Sequence, residues 1–323
     1  MKLAAIGAVA IAAVLAFGAA ARAQGSYPAG AITIVTPLAP GTTIDVLARL
    51  YADKLSKRFG QQVIVSNRPG AGGLIAAQAV AAAPADGYTV LLANSGHAIL
   101  GTLNKNLPFD PVGDFAGVSL IGETAALVTV PPSLGARSLR EFVAQAKAKP
   151  GATNYASAGI GTATHLAGAY FAKQAGIQMV HVPYKTGSAL IADLLEGRVQ
   201  ATFSPAAFTL PLLQEGKLLA LAVSSPDPMR KPIEVPSARS AGVDYDYATW
   251  YGFLAPAKTP PAVLQTLHAA IAEVSVDAEL QAKVDAQGIE ARSVGLRDFD
   301  AHIRNEMERL APLLKSIGDQ ISN

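Results

Sequence analysis

Two loops constrain this chain of 323 residues more than any other feature. They are Pro37-Leu38-Ala39-Pro40-Gly41-Thr42-Thr43-Ile44-Asp45 and Ala156-Ser157-Ala158-Gly159-Ile160-Gly161-Thr162-Ala163-Thr164-His165. Each follows a strand-like run and opens a stretch with helical periodicity. Each is rich in Gly, Ser and Thr and nearly free of charge. Strands that turn into helices in this way argue for βαβ units, with parallel strands and right-handed crossovers. The same loops present backbone N–H groups and hydroxyls at helix N-termini, where the dipole favours an anion. Two of them facing each other would grip a small carboxylate from both sides.

The alternation continues along the chain. Ile32–Thr36 reads as a buried strand, and a helix follows from about Ile44 to Phe59 with Ile44, Leu47, Ala48, Tyr51 and Leu55 on one face. Val63–Val65 and Tyr88–Ala93 are further strands, separated by the turn Asn67–Gly73 and a small-residue helix, Leu74–Ala83. A second unit repeats the theme. It has strands at Ala125–Val130, Thr153–Ala156, Met179–Val182, Val199–Phe203 and Leu218–Val223, and helices at Ser138–Lys149, Thr162–Gln174 and Ser188–Glu196. Tyr247–Ala255 is a strand leading into a helical tail, with Gly288 and Gly318 as helix-ending glycines. If the tail packs on the first unit, the chain crosses between units twice, near Ala125 and near Trp250. That is the hinge layout of a two-lobed binding protein. The expected domains are 24–124 plus 249–323 as lobe I and 125–248 as lobe II.

Composition narrows the function. Met1-Lys2, an apolar run from Leu3 to Ala20, and Ala21-Arg22-Ala23 form a signal peptide, residues 1–23, with cleavage expected after Ala23. An uncleaved anchor is the alternative. Without Lys2 and Arg22, the 26 basic and 24 acidic residues of the full chain become 24 and 24. A neutral exported chain gives no case for nucleic-acid binding. The chain contains no cysteine, which removes disulfides, thiol chemistry and Cys-based metal sites. The five histidines (His97, His165, His181, His268 and His302) form no metal-binding spacing. No Gly-x-Ser-x-Gly elbow and no phosphate-binding glycine motif is present. No catalytic residue, metal or cofactor is therefore expected.

The loops suit binding. A carboxylate needs several converging donors to offset its lost hydration. The amides of residues 41–44 and 158–162, with the hydroxyls of Thr42, Thr43, Ser157 and Thr162, are the candidate donors. Thr42 or Thr43 serves equally as an ordinary helix cap. Asp45 complements the dipole or fixes the loop. Asn94 and Ser95 follow the third strand at its carboxyl end, where open sheets bind ligands. His165 is either packed or in contact with ligand. Tyr184 and Lys185 follow a strand and would rim a cleft. Trp250 and Tyr251 wall the cleft or belong to the core.

Several motifs in fixed order resemble one family: Thr36–Gly41 with Asp45, Asn67–Gly73, Pro84–Thr89, Leu107–Pro111, Asn154–Ser157 with Gly159, Gly161 and His165, His181–Lys185, Gly216–Leu218 and Trp250–Gly252. The chain resembles the Bug family, the TctC-like receptors of tripartite tricarboxylate transporters, over essentially its whole mature length. The resemblance implies an α/β fold of two lobes, a type II periplasmic binding protein or Venus flytrap. In this fold each lobe is a mostly parallel sheet flanked by helices. It implies a monomeric periplasmic receptor that captures a small organic carboxylate and hands it to the large and small membrane subunits of a transporter. Carried over by position, the ligand cradle comprises Pro40, Gly41, Thr42, Thr43, Ser157, Ala158, Gly159, Ile160, Gly161, Thr162 and His165. Asn94, Ser95, Ser204, Pro205 and Ala206 line the remainder. A sensor that signals instead of transporting, and a periplasmic enzyme, are the rival classes.

Two positions depart from the family pattern. Thr42 stands where the family usually has a second glycine. Threonine tolerates φ > 0 poorly, so either the loop is shaped differently or the hydroxyl reads the ligand. Ser204 stands where many relatives carry an acidic residue suited to an amino group. That favours a carboxylate without one.

Overall fold

A computed structural model of the chain describes residues 27–103 and 106–321; the expected signal peptide and its cleavage point lie outside them. The strands are β1 (Ile32–Thr36), β2 (Val63–Asn67), β3 (Thr89–Asn94), β4 (Phe115–Val130), β5 (Thr153–Ser157), β6 (Met179–Pro183), β7 (Ala201–Pro205), β8 (Leu219–Val223), β9 (Ala248–Pro256) and β10 (Glu290–Gly295). The principal helices are α1 (Thr43–Phe59), α2 (Leu74–Ala81), α3 (Leu139–Ala148), α4 (Ala163–Ala175), α5 (Gly187–Leu195), α6 (Ala206–Gln214), α7 (Pro261–Ser275), α8 (Ala278–Asp285) and α9 (Leu296–Ile321).

The strands hydrogen-bond in the order β2-β1-β3-β9-β4-β7-β5-β6, with β8 and β10 also pairing β4. The outer strands carry the expected parallel pairing: β1 with β2 and β3, and β5 with β6 and β7. The strands nearest the middle (β9, β4, β8 and β10) run antiparallel to their neighbours. This follows from the connections. A helix returns the chain to the same end of the sheet for a parallel neighbour, whereas β4 and β9 pass directly from one unit to the other.

The long strand β4 is where the units join. Its residues Phe115 to Ala125 pair with β9, and its partners change at Ala126, which opposes Pro205 of β7. Ala248, at the start of β9, opposes Ala125. Both crossings therefore sit side by side on one ladder. Two separate cores flank them. One gathers Ile34, Leu47, Tyr51, Val90 and Phe253; the other gathers Val128, Tyr155, Leu166, Phe171 and Phe203. The last helix spans both units. Phe299 and Ile303 of α9 pack with Ala76 and Trp250, while Leu310 joins the core of Phe171 and Tyr245.

Local sequence explains the helices that matter for the site. Helix α1 buries Ile44, Leu47, Ala48, Tyr51 and Leu55, and Gly60 closes it in the left-handed region (φ 65°). In α4 the Thr162 side chain caps the His165 amide, and Gly176 ends the helix at φ 61°. One expected glycine cap does not form: α9 continues through Gly318 to Ile321.

Candidate functional site

The first loop is organised by a buried carboxylate. Asp45 is 3% exposed. It accepts hydrogen bonds from the Gly41 amide (2.9 Å), Arg49 Nε (3.1 Å), Arg49 Nη2 (3.0 Å) and Asn67 Nδ2 (2.9 Å). Burial alone would raise its pKa, but the hydrogen bonds from Arg49, Gly41 and Asn67 and the guanidinium charge overcome that effect and lower it. Asn67 Nδ2 also donates to Thr36 Oγ1 (2.8 Å) and the Leu38 carbonyl (3.1 Å), tying β2 to the loop. Asp45 fixes the loop, as one of its two sequence readings holds.

Thr42 resolves the first departure from the family pattern. Its backbone is extended (φ −77°, ψ 158°), and only Gly41 needs a positive φ (81°). The Thr42 hydroxyl donates to the Ala39 carbonyl at 2.8 Å and does not cap the helix. Helix α1 thus begins without a side-chain cap. Among the described residues, the Thr43 and Ile44 amides have no protein partner, and both residues border a cavity of about 560 Å³.

The second loop is braced from inside. Ser157 Oγ accepts the Gly159 amide (3.0 Å) and lies 2.6 Å from His181 Nε2. The Gly161 amide donates to His165 Nδ1 (3.2 Å), which leaves the proton of this neutral imidazole on Nε2. The His165 and His181 rings stack at 3.8 Å between centroids. A serine beside a histidine is the beginning of a nucleophile–base pair. Here Ser157 is fully buried behind the loop and does not border the cavity, so the contact holds the backbone.

These bonds revise the donor set expected from sequence. The amides of Gly41, Ala158, Gly159 and Gly161 are consumed within their own loops. Those of Thr43, Ile44, Ile160, Ala163 and Thr164 have no protein partner among the described residues. The free donors sit at the first turns of α1 and α4 and at the exposed tip residue Ile160, rather than at the glycines.

Of the sixteen residues expected at the site, nine border the cavity: Thr42, Thr43, Asn94, Ala158, Gly159, Ile160, Thr162, Ser204 and Pro205. Asn94 accepts the Gly96 amide at Oδ1 (2.9 Å), which leaves its NH₂ group without a protein partner. Ser204 Oγ is buried and has no hydrogen-bond partner among the described residues. The other seven do not border it. Pro40 and Gly41 lie on the solvent side of their loop. Ser157, Gly161 and His165 form the brace just described. Ser95 Oγ accepts the Trp250 amide (3.0 Å), and Ala206 is buried at the start of α6. Trp250 is core, whereas Tyr251 is buried and also borders the cavity, as do Tyr184 and the exposed Lys185.

Sequence reasoning passed over the turn Gly70–Gly73 as a site element. It borders the cavity and meets the second loop: a Cβ built on Gly72 would lie 2.9 Å from the Ile160 carbonyl oxygen. The signal was available, because the turn follows a parallel strand at its carboxyl end. Leu190 of α5 and Phe208 of α6, also on the wall, carry no comparable signal. An apolar residue in a helix reads as core.

Burial of titratable groups around this frame predicts a stability profile. Burial pushes His97 and His165 down to about 4, and burial together with the neighbouring His165 pushes His181 down to about 3. Burial, reinforced by Glu123, pushes Glu306 up to about 8 against the opposing effects of Arg309 and its hydrogen bond from Trp250. Below the ordinary histidine value of about 6.5 the unfolded chain binds protons that the folded histidines refuse, so stability rises with pH there. Between the ordinary glutamate value and about 8 the folded Glu306 holds a proton that the unfolded chain releases, so stability falls as pH rises. Four histidines, with His302 also lowered by burial, outweigh one glutamate in acid, and Glu306 dominates just above neutrality. The melting midpoint is expected to peak near neutral pH with the steeper limb on the acid side. Melting across pH 4–9 checks this, and Glu306→Gln should flatten the alkaline limb.

Residues 47–319 match the model of the TctC family, the tripartite tricarboxylate transporter family receptors. Protein BugT of Bordetella pertussis is 31% identical over 299 residues, 92% of each chain. Among solved structures, an R. palustris protein with adipate superposes with a TM-score of 0.84 at 32% identity, covering 90% of this chain and 98% of that one. The periplasmic binding protein BugD gives 0.84 at 27% identity (90% and 99% covered). MatC from Rhodopseudomonas palustris with bound malate gives 0.81 at 26% (89% and 100% covered). The chain has the two-lobed fold of these periplasmic binding proteins, and it belongs to the TctC family of tripartite tricarboxylate transporter receptors.

Proposed function

We propose that this protein captures a small organic carboxylate in the periplasm and delivers it to the membrane subunits of a tripartite tricarboxylate-type transporter. One observation carries the reading. The uncapped first turn of α1 and the first turn of α4 border the same cavity, with unpartnered amides and no acidic side chain on its wall among the described residues. A helix N-terminus favours negative charge, and two of them supply the converging donors a desolvated carboxylate requires. The unpartnered Ser204 hydroxyl and the free amide group of Asn94 add donors from the sheet. The adipate- and malate-bound relatives support the same ligand class.

In this reading lobe I comprises 24–124 and 249–323, lobe II comprises 125–248, and the hinge lies at the paired residues Ala125 and Ala248. Capture shifts an open–closed equilibrium, because only the closed form offers both sets of amides at once. The signal segment is removed after Ala23, and the mature protein works as a monomer. Isothermal titration and thermal shift against mono-, di- and tricarboxylates, neutral sugars and cationic solutes test the reading. A carboxylate at a hundred times its Kd should add about 2.7 kcal/mol of stability. Response to a sugar or a cation with none to any carboxylate would overturn it.

A further inference from the structure

We infer that the ligand carries a contiguous apolar body, an alkyl chain or aromatic ring, and no ammonium group. This rests on the carboxylate reading above and narrows it to a chemical class. The donors that border the cavity are the first turns of α1 and α4, Asn94 and Ser204. Lobe II also contributes an apolar wall. Leu190, Tyr184 and Phe208 belong to a single hydrophobic cluster and all border the cavity. Phe208 is seated by a glycine: a Cβ on Gly187 would lie 2.9 Å from its ring, so the ring approaches the backbone closely where α5 begins. Ile160 (48% exposed) and Pro205 border the same cavity.

The wall holds no carboxylate among the described residues, and its one charged side chain is the exposed Lys185. An ammonium group would be desolvated without a counter-ion. Hydroxyl groups lying against the Phe208 ring and the Leu190 side chain would lose water to groups that neither donate nor accept a hydrogen bond. Methylene or aryl groups in the same place displace water from apolar surface. Binding should therefore tighten about three- to fourfold for each methylene that reaches the wall.

Three matched acids provide the test, titrated calorimetrically into the whole mature protein. Hexanoate, gluconate and norleucine share a six-carbon chain and one carboxylate. Gluconate adds hydroxyls along the chain, and norleucine adds an ammonium group. Hexanoate is expected to bind at least tenfold more tightly than either, and affinity should climb from propionate to hexanoate. Phe208→Ala and the milder Phe208→Leu should lower the gain per methylene, Phe208→Ala more strongly. Gluconate or norleucine binding as well as hexanoate, or affinity that does not change with chain length, would overturn the inference while leaving the carboxylate reading intact. Failure of these acids and of the di- and tricarboxylates to bind would overturn that reading and this inference with it.

Discussion

Gly72→Ala should weaken binding of the tightest carboxylate about tenfold, and Gly72→Val roughly a hundredfold, with the fold retained. Gly72 lies on the turn between β2 and α2, and the new Cβ would lie 2.9 Å from the Ile160 carbonyl oxygen and 3.3 Å from Gly161 Cα in the second loop. Backbone atoms on both sides leave no flexible end to move aside, so the closed form alone is penalised. Apparent affinity falls with the population of the closed form, tenfold for about 1.4 kcal/mol. A second cost has to be separated from this one. Gly72 is left-handed (φ 66°), and any side chain there is strained in both open and closed states. Gly60 offers the control, because it has φ 65° and nothing within 4 Å of its added Cβ. Gly60→Ala and Gly72→Ala should lose similar stability, about 1 kcal/mol. Only the second should lose affinity. Equal affinities in the two variants would show that the turn does not close on the second loop.

What could be read from the sequence follows from where information is stored locally. Helix α1 announced itself through the spacing of Ile44, Leu47, Ala48, Tyr51 and Leu55, all of which are buried. The carboxyl ends of β1, β3 and β5 could be located because glycine, serine and threonine interrupt apolar runs there. By contrast, β10 has four exposed residues at its start and alternates nothing that a pattern could detect, so the tail reads as wholly helical. Helix α6 contains Pro211, which masks its periodicity. The part of β4 before Ala125 was missed because Gly117 and Gly122 interrupt it, and both sit where an added Cβ would collide with the tail (Asp300 and Ile289). The donor set shows a different limit. Glycine-rich composition correctly located the loops, yet which amides are free depends on partners such as His165 and Thr164, fixed only once the loop is folded.

Asp45→Ala should cost about 3 kcal/mol of stability, because it removes a buried, charged acceptor that ties the loop, α1 and β2 together. The carboxylate takes four hydrogen bonds: one from the loop (Gly41), two from Arg49 one helical turn on, and one from Asn67 at the end of β2. Arg49 is 55% exposed and can recover water, and Asn67 Nδ2 keeps Thr36 Oγ1 and the Leu38 carbonyl, so the loss lies in the connection between loop, helix and strand that the buried carboxylate makes. At this chain length that corresponds to a fall in melting midpoint of about 5–10 °C. Asp45→Asn keeps one acceptor oxygen and should lose less. Binding should suffer as well, by more than tenfold. Asp45 does not border the cavity, but it sets the turn that leaves the amides of Thr43 and Ile44, two residues that do border it, uncapped. Saturating carboxylate should therefore raise the melting midpoint of Asp45→Ala far less than that of the unaltered protein. The acid limb carries the same signature. The wild-type Asp45 contribution persists above its ordinary value of about 3.9 and disappears as pH falls through the lowered folded value, so the gap between the two proteins should close on acidification. A variant as stable as the wild type at neutral pH would show that Asn67 and Gly41 find other partners and that the loop does not depend on this carboxylate.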